Sequence, residues 1–68
     1  MDVNSNIGTI VRRLRKEKKL TQKALAEELN ISISYVNLIE NNNRNVTTPI
    51  LIKIANVFKI DLAELTND

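Results

Sequence analysis

Between Gln22 and Asn41 the chain carries two runs of helical spacing with almost nothing between them, and that closeness limits the folds open to it. The first run turns Leu25, Ala26 and Leu29 to one side, and the second repeats Val36 and Ile39 at an interval of three. Two helices joined by so tight a turn must cross at short range. The first then has to offer a small residue at the crossing, and Ala26 stands in mid-run. The turn itself has to pass through the left-handed region, which Gly enters most easily and Asn next; Asn30 holds that place. Thr21 and Ser32 are suited to cap the two helices. Ile31, Val36 and Ile39 supply the apolar contacts that lock the second helix onto the first.

The same reading extends to both sides. Ile7, Ile10, Val11 and Leu14 form an apolar stripe that predicts a first helix from about Ser5 to Lys18. The Asn-rich stretch Asn41-Asn42-Asn43-Arg44-Asn45 reads as a loop, because short polar side chains compete for backbone hydrogen bonds. Thr48 followed by Pro49 starts a fourth helix, with Pro at its first position, and Leu51, Ile54, Ala55 and Phe58 share one face. Asp61-Leu62-Ala63-Glu64 has the form of a capping box and opens a short last helix. No segment alternates with period two long enough for a strand. A single Gly and a single Pro leave no long flexible linker, so residues 1–68 read as one all-α domain of five helices.

Composition narrows the chemistry. There is no Cys and no His, which excludes a disulfide framework and removes the usual nitrogen and sulfur ligands, so neither a metal nor a cofactor is expected. No apolar run approaches the roughly 20 residues of a membrane span. The first six residues lack the basic start and apolar centre of a signal peptide, and a reducing cytoplasmic home fits. The acid–base candidates are scattered carboxylates, Tyr35 and the lysines, with no Gly-rich phosphate loop, so an enzyme is not expected. Charge is unevenly placed: residues 1–19 hold six basic side chains against Asp2 and Glu17, while residues 20–68 hold four against six acidic ones. That asymmetry suits a polyanion on one face, and it equally suits a solvated helix surface.

Leu14-Arg15, Leu20-Thr21-Gln22-Lys23-Ala24-Leu25-Ala26, Ile31-Ser32, Ser34-Tyr35-Val36 and Ile39-Glu40-Asn41 together resemble the Xre-like family of phage Cro and repressor proteins. The resemblance continues through Pro49, Leu51-Ile52-Lys53-Ile54-Ala55 and Ile60-Asp61-Leu62. The stretch from Ser34 to Asn41, with Asn43-Arg44 and Val46-Thr47, is similar more narrowly to the N-terminal domain of short-chain fatty acid metabolism regulators. What this implies is a compact five-helix lambda-repressor-like domain with a helix-turn-helix at helices 2 and 3. It also implies a dimeric transcriptional repressor reading a near-palindromic operator in double-stranded DNA. Relatives of the fold serve instead as antitoxins or protein-interaction adaptors, which is the alternative expectation. Lys19, Asn30 and Asn42 stand where the family has Gly, and the resemblance implies that Arg15 pairs with Glu40 as a scaffold.

In a helix-turn-helix the N-terminal part of the second helix meets base edges. Here that part is Ser32, Ile33, Ser34 and Tyr35, with Asn37 and Leu38 a turn further on. Ser34 and Asn37 carry hydrogen-bonding groups, and Asn suits adenine N6 and N7. Ile33 can meet a thymine methyl or pack against the second helix; Tyr35 can reach the DNA or cover the core edge. Expected phosphate contacts are Gln22 and Lys23 at the start of the second helix and Asn42, Asn43 and Arg44 after the third. Arg12, Arg13 and Lys16 are weaker candidates. Ile60, Leu62 and Leu65 exceed what the core consumes and are the expected dimer surface.

Overall fold

The computed structural model describes residues 4–42 and 46–66. Five helices follow in order: α1 (Asn4–Glu17), α2 (Gln22–Leu29), α3 (Ile33–Glu40), α4 (Thr48–Phe58) and α5 (Leu62–Thr66). No strand occurs among the described residues. The first helix lies within a residue of its expected span, Ser5 to Lys18. The fourth begins one residue earlier than Thr48-Pro49 suggests: Thr47 takes the extended cap conformation, without a side-chain cap bond, and Pro49 lies within the first turn.

The core gathers one stripe from every helix. Ile7 and Val11 come from α1, Leu25, Ala26 and Leu29 from α2, and Val36 and Ile39 from α3. Val46, Leu51, Ile54, Ala55 and Phe58 close it from the other side, together with Leu65. Spacings of three and four put these residues on single faces of their helices. Each large side chain so buried contributes roughly 1.5–3 kcal/mol. α3 packs on both α1 and α2, and α5 packs on α1 and α4.

Three helices end in the same way. Lys19, Asn30 and Lys59 take left-handed backbone with φ of 59°, 58° and 56°. The next residue in each case is apolar, Leu20, Ile31 or Ile60, and its N–H reaches back to the carbonyl of Arg15, Ala26 or Ala55 at 3.0 Å. Those three side chains are half-buried against the core. This is the Schellman ending, with its carbonyl satisfaction and accompanying apolar contact. Asn30 and Lys19 meet the expectation of left-handed turns without Gly. Lys59 adds one that its residue type does not advertise.

Gly8 is where α1 meets the end of α3. A Cβ at Gly8 would fall 2.1 Å from the Ile39 carbonyl oxygen, inside any real contact. The Gly8 N–H also donates to Asn42 Oδ1 at 3.0 Å, and Asn42 itself is left-handed with φ 59°. The one glycine therefore permits a backbone-to-backbone crossing, and an Asn side chain pins it.

Candidate nucleic-acid interface

α3 is held at its start by its own cap. Ser32 Oγ accepts from the Tyr35 N–H at 3.0 Å, as Thr21 Oγ1 does from Ala24 at the start of α2. Its inner side is Val36, Ile39 and Glu40. At about 100° per residue, Ser34, Asn37, Leu38 and Asn41 turn the other way, with Ile33 at the margin. The burial pattern agrees. Ile33 remains 47% exposed and Leu38 36%, and Ser34, Asn37 and Asn41 are exposed as well. Tyr35 is half-buried and packs against the core edge.

Behind this surface lies a polar cluster anchored on an ion pair. Arg15 Nε donates to Glu40 Oε2 at 2.6 Å and Nη2 donates to Oε1 at 3.1 Å, a bidentate fork between α1 and α3. The side chains keep 12% and 3% of their exposure. Arg15 Nη1 donates further to the Leu20 carbonyl at 2.8 Å, tying in the turn that ends α1. From α2, Gln22 Nε2 donates to Glu40 Oε1 at 3.1 Å and approaches Asn37 Oδ1 at 3.5 Å. Asn41 Nδ2 donates to the same Asn37 oxygen at 3.0 Å. The ion pair implied by the family resemblance is present, and Gln22 and Asn41 extend it to the exposed side of α3. Asn41 carried a signal in the sequence, since Asn37 and Asn41 stand at the i, i+4 spacing that lets side-chain amides meet.

The other expected residues differ in their surroundings. Ser32 is exposed but is engaged as a cap. Lys23 and Asn42 are exposed, near the first turn of α2 and the end of α3, and Asn42 Oδ1 is engaged by Gly8. Arg12, Arg13 and Lys16 are exposed along α1, where Arg13 lies 3.9 Å from Glu17. Asn43 and Arg44 lie outside the described residues. The expectation for the dimer surface needs correction at Leu65, which is 1% exposed and belongs to the core because α5 lies on α1 and α4. Leu62 is 39% exposed, and Ile60 is half-buried by its place in the helix ending. Ile52, on the outer side of α4, is 46% exposed and had no sequence signal of its own. No cluster of potential metal ligands occurs among the described residues.

Two short helices joined through a left-handed Asn, with the second outwardly polar and inwardly clamped, define a helix-turn-helix domain. The helix-turn-helix family model matches residues 11–65, and the chain belongs to that family. It is 43% identical over 61 residues to the HTH-type transcriptional regulator PrpR of Mycobacterium tuberculosis, covering 90% of this chain and 13% of that protein. The chain thus spans about an eighth of the length of PrpR and of the regulator RamB of the same species, to which it is 46% identical over 55 residues. It is 37% identical over 68 residues to the control protein C.MunI of a Mycoplasma species, covering 98% of this chain and 92% of that one. Among solved structures, the N-terminal DNA binding domain of SinR from Bacillus subtilis superposes with a TM-score of 0.86 at 29% identity, over 94% of each chain. The resemblance read from the motifs and the five-helix architecture both stand.

Proposed function

We propose that this domain acts as a homodimeric repressor that sets α3 into the major groove of a near-palindromic operator. The observation that carries the reading is the two-sided character of α3: Glu40 is fixed to Arg15 on its inner side, while Ile33, Ser34, Asn37 and Leu38 stand exposed on the other. Ser34 and Asn37 supply hydrogen bonds to bases, and Ile33 and Leu38 supply apolar surface for thymine methyl groups. Tyr35 contributes its hydroxyl end at the margin, and Ser32 remains first a cap. Backbone N–H groups at the start of α2, with Lys23 and the Asn42-Asn43-Arg44 stretch, hold flanking phosphates.

Dimerisation follows from the smallness of the contact surface, since paired half-sites about 34 Å apart multiply affinity. The approach to α5 supplies the surface, centred on exposed Leu62 with Ile60 beside it. The domain works by binding, with no catalytic role, in the cytoplasm. No described helix is long and apolar enough to cross a membrane.

Binding to random duplex at several salt concentrations, followed by selection of sites from a randomised pool, tests this. The expected result is steep weakening with salt and an enriched palindrome. Salt-insensitive or absent binding would favour the protein-interaction reading, in which Ile33 and Leu38 meet a protein.

A further inference from the structure

The cluster behind α3 has a direction. The Glu40 carboxylate is paired with Arg15 and can only accept, so the Gln22 atom 3.1 Å from it must be the amide nitrogen. The same nitrogen lies 3.5 Å from the side-chain amide of Asn37. A donor faces an acceptor there, which makes the near atom of Asn37 its oxygen. Asn41 then has to turn its own nitrogen inward, as it does at 3.0 Å. Each amide is oriented by the one before it, beginning from a buried charge.

Asn37, the amide between Gln22 and Asn41, sits on the exposed side of α3. Asn37 Oδ1 is approached by two N–H donors, which leaves Nδ2 as the arm of the amide available to a further partner on this exposed residue. We propose that Asn37 is thereby fixed as a hydrogen-bond donor, so that it selects guanine in the major groove rather than adenine. Guanine presents two adjacent acceptors, O6 and N7, whereas bidentate pairing with adenine needs an Asn oxygen free to take N6–H. This changes the base expected for Asn37 from its residue type alone. Gln22 and Asn41 are positioning residues, since they act through Asn37. The inference rests on the reading of α3 as the groove helix.

The test is site selection from randomised duplex with the whole 68-residue chain, followed by binding to duplexes that differ at one base pair. Asn37→Ala locates that pair as the one whose preference disappears. The parent is expected to prefer guanine over adenine there by roughly tenfold, in line with the usual worth of a specific base contact. Gln22→Met and Asn41→Ala should each shrink that ratio several-fold by releasing the amide. The ratio is unaffected by general loss of affinity, and exposed Asn41 provides a variant that leaves the interior alone. Asn37→Asp, which exchanges donor for acceptor, should move the preference to cytosine. A parent that prefers adenine, or a ratio unchanged in both positioning variants, overturns the inference while leaving the DNA-binding proposal standing. A parent that selects no sequence removes both.

Discussion

Arg15 and Glu40, twenty-five residues apart in the chain, meet side by side with both guanidinium–carboxylate bonds formed, the shorter at 2.6 Å. The pair joins the first helix to the end of the third, and Gln22 adds the start of the second. Three helices are thus indexed to one carboxylate. Such a pair is weak evidence of net stabilisation, because desolvating both charges offsets much of their attraction, but breaking it from one side is costly.

Glu40→Ala should therefore destabilise the domain by roughly 3 kcal/mol, since it leaves the Arg15 guanidinium largely enclosed without its partner. Urea unfolding monitored by circular dichroism gives the number. The double variant Arg15→Met, Glu40→Leu should recover a substantial part of the loss. Parent-like stability of Glu40→Ala would remove the structural role assigned to the pair.

Gly8→Ala should cost about 1–3 kcal/mol, although Ala is otherwise the better helix former. The added methyl meets the Ile39 carbonyl and the Asn42 side chain, so either α1 or the end of α3 has to move. Exposed Thr9→Ala, one position along, serves as the control and should change little. Equal stability of the two variants would show that the crossing is looser than its geometry.

Lys19→Gly and Lys59→Gly should each raise stability, by up to about 1 kcal/mol. Left-handed backbone penalises a side chain by roughly 1–2 kcal/mol, and the extra freedom of Gly in the unfolded chain returns part of that. Thermal unfolding of the single and double variants checks it, with the two increments expected to add, since the sites end different helices.

Leu65→Ala and Leu62→Ala should separate folding from association. The first empties a fully buried position and should cost about 2–5 kcal/mol. The second removes exposed surface, so the fold should persist while any dimer dissociates at higher concentration. Sedimentation equilibrium together with unfolding distinguishes them; a Leu62→Ala protein that associates like the parent would place the dimer surface elsewhere.

Much of the architecture was legible because local chemistry announces it. Thr21 and Ser32 have hydroxyls at the caps, Asn30 tolerates the left-handed turn, and the stripes from Ile7 to Phe58 repeat at helical spacing. What was not legible depends on where helices meet. Nothing about Lys59 marks a left-handed residue until α4 is seen to stop there. Leu65 looks surplus on a five-residue helix and becomes core only because α5 lies on α1. Gly8 reads as a defect in a helix until α3 crosses it. Within the interface, the outward residues followed from the period of α3, whereas the link from Gln22 to Asn37 joins residues fifteen apart and required the fold. At Asn37 the residue type suggests adenine, and the guanine preference proposed above rests on contacts of its amide that only the fold brings together.

The clamp on α3 has a thermodynamic side. Immobilising a flexible side chain at an interface ordinarily costs about 0.5–1.5 kcal/mol at the moment of association. Here the Asn37 amide is held by Asn41 at 3.0 Å with Gln22 at 3.5 Å, so part of its rotational freedom is already given up, and the helix that carries it is capped by Ser32 and pinned past its end by Gly8 and Asn42. That entropy is surrendered when the chain folds, before any duplex arrives. On the proposed function, seating α3 in a groove then asks little reordering of that helix.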